Sequence, residues 1–174
     1  GDSAEVRATL GRALLLGGAI GLCLVVLQAP IARIALTLLG ATEEVESLTR
    51  AYFDLRIWGA PATLSTFAVL GTFIGLGETR YLLATQLVLN GLNLVLDVLF
   101  AGVLGWGVEG IAVGTVIAEW VTLFVALALA VRVLRSGHTD AEAFWPWSRI
   151  NDRAMGVKML GANADIMIRT FFLL

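Results

Sequence analysis

The sequence predicts an all-α membrane protein, a polytopic bundle of membrane-spanning helices, and two observations carry this prediction. The first is composition, because 58% of the 174 residues are hydrophobic and 15% are charged. Soluble domains carry about 25% charged residues, and disordered chains combine low hydrophobicity with high charge. The second is the length of the apolar runs, which reach the roughly 20 residues that a spanning helix needs. Helices buried in a soluble core are shorter and less consecutive.

The predicted spans follow one another at residues 8–39, 52–76, 81–104 and 110–134. The short connectors between the last three predict antiparallel neighbours. A longer polar connector follows at 136–152, and residues 153–174 begin a further span. This last apolar run is still open at Leu174, and a helix broken in hydrocarbon would leave backbone carbonyl groups unpaired. We therefore expect the chain to be a piece of a longer protein.

Arginine placement predicts the orientation of the spans. With the start of the chain in the cytoplasm, most of the 12 Lys and Arg residues fall on the cytoplasmic side, including Arg7, Arg80 and Arg132. Cytoplasmic loops of membrane proteins carry such an excess. We therefore expect a multi-pass membrane protein, surrounded by membrane lipid, with the 136–152 connector in the cytoplasm.

Charge and residue counts exclude several classes of function. The formal net charge is −2, so the chain has no basic field to hold nucleic acid. One cysteine and one histidine exclude cysteine-based zinc sites and histidine clusters. The sequence also offers no nucleophile with a matching base, so we expect neither an enzyme nor a bound cofactor.

Two of the predicted spans carry polar stripes where lipid would favour apolar residues. In the span at 81–104 the polar residues are spaced at i, i+4, i+7 and i+11: Gln86, Asn90, Asn93 and Asp97. The span at 110–134 repeats the first three spacings with Thr115, Glu119 and Thr122. Each set occupies one narrow face of a helix. These faces predict an interior cavity or a polar helix interface.

Asp97 and Thr115 are expected at similar depth, because antiparallel neighbours place the end of one span beside the start of the next. A carboxylate that faces lipid within a span costs at least ~2.5–3.5 kcal/mol, and ionisable groups inside a bundle usually mark ion or proton paths. Oxygen atoms of Asn93 and Thr115 beside Asp97 can complete the shell of a hard cation such as sodium. Glu119 either shares this pocket or forms a salt bridge with a helix outside the sequence.

A plainer interpretation stays open for part of these stripes. Gln86, Asn90 and Thr122 are also of the kind that hydrogen-bonds between neighbouring helices without a further role. In the second span, Gly71 and Gly75 form a G-x-x-x-G motif, which predicts close helix packing.

A set of motifs extends along most of the chain. Three stretches stand out by their order and spacing: Arg56–Ala62, Phe73–Gly77, and Asn93–Phe100 running into Gly105–Ala112. The same pattern includes Thr115–Trp120 and Asn163–Thr170. With these motifs the chain resembles the multidrug and toxic compound extrusion (MATE) family, especially its DinF-like branch.

The resemblance implies a twelve-helix transporter with two six-helix lobes. Residues 1–135 would be helices three to six of the N-terminal lobe, 136–152 the inter-lobe connector, and 153–174 the truncated start of helix seven. The rest of the same chain would then be its main partner. Proteins of this family are similar to secondary antiporters that export small organic, often cationic, compounds in exchange for protons or sodium.

The resemblance also implies a binding site for the coupling cation. The family pattern has an Asn and an Asp one turn apart on helix five and a Thr on helix six, which correspond to Asn93, Asp97 and Thr115. A tyrosine near the outer end of helix four corresponds to Tyr52. Gln86, Asn90 and Glu119 would line the same cavity. An aspartate on helix one has no counterpart in this sequence, so we expect the piece alone not to transport.

Two other classes of function compete with this interpretation. A flippase for lipid-linked precursors, from the same superfamily, would share the lobe but would need a more basic cavity. A membrane interaction subunit without transport activity would need no buried carboxylate, and salt bridges from both Asp97 and Glu119 to other helices would favour it.

Overall fold

The computed structural model describes residues 3–40, 42–136 and 145–173, and within these ranges it contains helices and no strand. The helices are α1 (Ser3–Val26), α2 (Gln28–Leu39), α3 (Glu43–Arg56), α4 (Ala60–Gly75), α5 (Thr79–Asp97), α6 (Gly107–Ser136), α7 (Trp147–Ile150) and α8 (Arg153–Leu173). A 3-10 turn at Ile57–Gly59 joins α3 to α4, and a π-helical segment at Val98–Val103 extends α5. The predicted all-α class is confirmed.

Four segments of the described chain are long and apolar enough to cross a membrane: Ser3–Val26, Val45–Gly75, Thr79–Val103 and Gly107–Arg135. The structure divides the predicted span at 8–39, because α1 ends at Val26 and α2 begins at Gln28. Pro30 has no backbone N–H and therefore cannot donate to the carbonyl of Val26, which explains an interruption at this point. The third and fourth segments lie within a few residues of the predicted 81–104 and 110–134, whereas the segment that contains the predicted 52–76 begins earlier, at Val45.

The polar end of the chain is partly described. The centre of the predicted connector, residues 137–144, lies outside the described residues. Beyond it, α7 is attached to α1 because Arg12 Nη1 donates a hydrogen bond to the carbonyl oxygen of Arg149, at 2.7 Å. The last helix, α8, carries charged side chains at Lys158, Asp165 and Arg169, and it is not among the four apolar segments. That residues 153–174 begin a further span stays a prediction.

The bundle is built around α6, which packs against α3, α4 and α5, while α1 packs on the far side of α4. The contacts show that α5 and α6 run antiparallel, since Asp97 lies beside Gly114 and Phe100 beside Gly110. An apolar cluster fills the end of the bundle where α6 ends: Leu10, Val69, Leu70, Phe73, Ala126, Ala130 and Leu134. Of the buried polar side chains, Glu119 lies nearer the other end of α6, whereas Arg7 and Arg12 flank Leu10 beside the apolar cluster.

Two glycines of α1, Gly17 and Gly21, allow α1 to approach α4 closely, whereas the sequence predicted close packing at Gly71 and Gly75. A Cβ atom on Gly21 would lie 2.4 Å from Pro61 Cα, and one on Gly17 would lie 3.0 Å from the carbonyl oxygen of Leu64. At Gly71 and Gly75, by contrast, a Cβ atom would meet nothing within 4 Å. The close packing predicted at Gly71 and Gly75 is therefore not found within the described chain, where the contact belongs to Gly17 and Gly21.

Gly21→Ala is expected to destabilise the bundle, whereas Gly75→Ala is expected to be neutral or slightly stabilising. The methyl group at position 21 meets backbone atoms that cannot rotate away, and overpacking of this kind costs about 1–3 kcal/mol. The measurement is thermal unfolding of both variants of the full-length protein in detergent. Equal melting temperatures for the two variants would contradict the α1–α4 contact described here.

Candidate functional site

The end of α5 departs from regular α-helical geometry directly after Asp97. Residues Val98–Val103 form a π-helical segment, in which the backbone N–H of Leu104 donates to the carbonyl oxygen of Leu99, at 2.9 Å. π-helical turns inside α-helices are rare and occur frequently at functional sites. The ring of Phe100 from this segment stacks on Trp106, with centroids 5.2 Å apart.

The carboxylate of Asp97 points at α6. An ideal Cβ atom on Gly114 would lie 3.0 Å from Asp97 Oδ1, so the absence of a side chain at position 114 makes room for the carboxylate. The same oxygen is shielded from solvent and has no hydrogen-bond partner among the described residues. Asp97 thus faces a helix interface and not the surrounding lipid, as its stripe predicted.

Asn93 lies on the same face of α5 as Asp97, and Thr115 is the sequence neighbour of Gly114, which the carboxylate approaches. Asn93 lies one turn before Asp97, and its Oδ1 is likewise buried without a hydrogen-bond partner in the described part of the chain. Thr115 follows Gly114 directly, and its hydroxyl group donates to the carbonyl oxygen of Ile111, at 2.9 Å. This donation uses the hydroxyl hydrogen but leaves oxygen lone pairs that can accept a hydrogen bond or bind a cation.

The structure separates the remaining predicted residues. Gln86 lines a pocket together with Glu119 and Thr122, whereas Asn90 is exposed. Tyr52 is half-buried on α3, one turn before Arg56, and is not among the residues that line that pocket.

Glu119 has a charged partner within the chain. Arg56 donates two hydrogen bonds to its carboxylate, from Nη1 to Oε2 at 2.8 Å and from Nη2 to Oε1 at 2.6 Å. The pair is close to Gly59, where a Cβ atom would lie 1.8 Å from Glu119 Oε2. Beside it, the indole N–H of Trp120 donates to the carbonyl oxygen of Trp58, at 3.0 Å. The salt bridge of Glu119 thus joins α6 to the end of α3, without a helix from outside the sequence.

Glu119 and Asp97 belong to different levels of the bundle. Asp97 is level with Gly114, and Glu119 lies five residues further along α6, which corresponds to ~7.5 Å along the helix axis. Asp97, beside Gly114, and Glu119, beside Arg56, are therefore separate polar groups of the described chain.

Sequence reasoning missed the residues that make these contacts possible. From the sequence alone, Arg56 is given no partner, and no packing role is assigned to Gly59, Gly110 or Gly114. A Cβ atom on Gly110 would lie 2.8 Å from the carbonyl carbon of Phe100, so the backbones of α6 and the π-helical segment approach closely there. The signal in the sequence was the G-x-x-x-G spacing of Gly110 and Gly114, which is typical of close helix contacts.

Comparison with known proteins places the chain among transport proteins. A family model described as MatE matches residues 1–99. The chain is 34% identical over 165 residues to DNA damage-inducible protein F of Escherichia coli (strain K12), an alignment that covers 95% of this chain and 35% of the relative. It is also 31% identical over 135 residues to Protein DETOXIFICATION 43 of Arabidopsis thaliana, which covers 75% of this chain and 26% of the relative.

The chain thus spans about a third of the first relative and about a quarter of the second. No solved structure matches the chain significantly. The family match covers more than half of the sequence, and the described helices fit a multi-pass membrane protein. The chain belongs to the MatE family, the family of membrane transporters that its motifs resemble.

Proposed function

We propose that the full-length protein is a secondary antiporter of the bacterial inner membrane, which exports small organic, often cationic, compounds in exchange for protons or sodium. The observation that carries the proposal is the Asp97 carboxylate, which faces α6 beside Asn93 with a buried oxygen that has no hydrogen-bond partner in the described chain. Ionisable side chains held in this way within a membrane bundle are expensive and are commonly kept for ion or proton movement.

Binding of a cation at Asp97 would lower the free-energy cost of holding an ionised carboxylate between two helices. An ionised carboxylate at a helix interface is poorly solvated, and a bound proton or sodium ion removes most of that penalty. If the penalty differs between the outward-facing and inward-facing forms, the cation shifts the population between them. Binding sites near the middle of the membrane serve such alternating access in other transporters.

The side chains around Asp97 are compatible with both coupling ions. A proton needs only the carboxylate, whereas sodium needs several oxygen ligands. The buried Oδ1 atoms of Asn93 and Asp97 and the free lone pairs of the Thr115 hydroxyl are oxygen donors of the required kind. The proposed cation site therefore consists of Asn93, Asp97 and Thr115.

The relatives support export as the direction of transport. The name of the Arabidopsis relative refers to detoxification, which for a membrane transporter means removal of harmful compounds. A subunit that only holds other proteins together would be favoured if both buried carboxylates were engaged in salt bridges. Among the described residues Glu119 is so engaged, and Asp97 is not.

Export by the full-length protein in proteoliposomes tests the proposal. Movement of an organic cation such as ethidium is followed after a pH gradient or a sodium gradient is imposed, for the wild type and for Asp97→Asn. We expect gradient-driven export by the wild type and its loss in the variant. Export by Asp97→Asn at the wild-type rate would contradict the proposed role of this carboxylate.

A further inference from the structure

A second polar pocket lies between α4, α5 and α6, about 7.5 Å further along α6 than the Asp97 site. Its volume is about 130 Å³. The polar residues that line it are Thr63, Thr66, Thr85, Gln86, Glu119 and Thr122. Its apolar lining residues are Phe67, Leu70 and Leu89. A pocket with this many polar groups is unusual in the middle of a membrane-spanning bundle.

Several hydroxyl groups of this pocket need a polar partner. The Oγ1 atoms of Thr63, Thr66 and Thr122 are shielded and have no hydrogen-bond partner in the described part of the chain. Thr66 is 6% exposed and Thr122 is 1% exposed, so lipid or bulk water does not reach them freely. A buried hydroxyl group without a partner is unfavourable. A site of this volume has room for several waters, since one water occupies ~30 Å³ in the liquid.

Glu119 forms the charged wall of the pocket, and Arg56 approaches it from the opposite side. Arg56 does not line the pocket but a neighbouring cavity of about 270 Å³, which is also lined by Leu24, Phe53 and Thr63. The bidentate pair occupies part of the acceptor capacity of the carboxylate, which has about four lone-pair sites. Glu119 can therefore hold Arg56 and still offer an oxygen to the pocket.

Arg56 has room to leave Glu119. Its side chain is 32% exposed, while that of Glu119 is 7% exposed. Arg56 ends α3 directly before the 3-10 turn, and such turns in the middle of a long helix often mark hinges. Among the described residues, Arg56 is the charged partner recorded for Glu119, and the pocket walls from α4 and α5 contribute hydroxyl and amide groups.

We propose that this pocket is a second hydrophilic site of the bundle, which holds water and takes a small monovalent cation at the Glu119 carboxylate, in competition with Arg56. The ligand is hydronium or sodium, both of which oxygen donors of this kind can bind. Oxygen atoms of Thr63 and Gln86 and of the bound water complete the shell of the cation, and release of Arg56 into its own cavity frees the carboxylate. The inference is independent of the role of Asp97.

Cysteine accessibility in the full-length protein tests the proposal. Thr122→Cys is introduced into a background without native cysteines, which includes Cys23→Ala, and its reaction with a small cationic methanethiosulfonate is timed. The matched control is Ala126→Cys, one turn further along α6, in the apolar cluster and fully buried.

Thr79→Cys, exposed at the start of α5, corrects for the effect of pH on thiol reactivity. Thr66→Cys replaces Thr122→Cys if the latter does not fold.

We expect the thiol at position 122 to react at least about tenfold faster than the thiol at position 126, since buried thiols without access are inert. A cation in the pocket should slow the reaction of the thiol at position 122 by about fivefold or more. Sodium is tested by replacing choline in the buffer, and hydronium is tested by lowering the pH in sodium-free buffer. Which of the two changes has this effect identifies the cation.

In the double variant Arg56→Gln/Glu119→Gln, the thiol should stay accessible and the protection should disappear. Slow reaction at position 122, equal to that at position 126, would overturn the proposal of a hydrated pocket. Fast reaction without protection, or protection that persists in the double variant, would overturn cation binding at Glu119. Asp97→Asn should leave the protection unchanged, so failure at one site is distinguishable from failure at the other.

Discussion

Asp97→Asn in the full-length protein is expected to abolish gradient-driven export while leaving the protein folded. Asparagine keeps the size of the side chain and places an amide at the Gly114 contact, but it carries no charge and cannot take up a proton. The coupling between cation binding and the transport conformations should therefore vanish. Coupling free energies are typically 1–3 kcal/mol, so the shift of about 5- to 150-fold that a bound cation causes in the equilibrium should disappear, and export should fall to the background of protein-free liposomes.

The matched control for this variant is Asp54→Asn, which removes an exposed carboxylate from α3. This change alters the net charge equally but does not touch the α5–α6 interface. It should export at the wild-type rate, as measured with the same dye and the same gradient. Equal losses in the two variants would mean that total charge, and not the Asp97 site, determines transport.

Arg56→Gln is expected to destabilise the protein more than the double variant Arg56→Gln/Glu119→Gln. The single change leaves the buried Glu119 carboxylate without its cation, and breaking a buried ion pair from one side costs about 3 kcal/mol or more. The double variant removes both charges, and neutral replacement of a buried pair is often close to neutral in stability. Thermal unfolding of the full-length protein in detergent, arranged as a double-mutant cycle, measures the difference.

A second ion pair of the chain provides the comparison for this experiment. Arg50 and Glu46 lie one turn apart on α3, with 3.4 Å between their charged atoms and both side chains nearly half exposed. Pairs of this kind on a helix surface contribute about 0.3–0.5 kcal/mol, so Arg50→Gln should hardly change the melting temperature. If Arg56→Gln were as mild as Arg50→Gln, the Arg56–Glu119 pair would not hold α6 to the end of α3.

The sequence by itself determined the helices and the polar face of α5. Apolar runs of sufficient length can be satisfied in a membrane only by helices with internal hydrogen bonds, so the spans were predictable from composition and length. The spacing of Asn93 and Asp97 put both on one helix face, and the short connector to α6 put Asp97 level with Gly114 and Thr115. Both inferences use helix geometry and need no long-range contact.

Tertiary structure decided which of these polar residues meet. The periodicity of α6 predicts that Thr115, Glu119 and Thr122 share one helix face. It gives no information about Arg56, which lies 63 residues from Glu119 in the sequence. The pairing depends on how α3 and α4 cross α6, and that crossing depends on where side chains are small enough for backbones to approach. For the same reason the sequence could not distinguish the glycines that contact another helix, Gly17 and Gly21, from Gly71 and Gly75, which do not within the described chain.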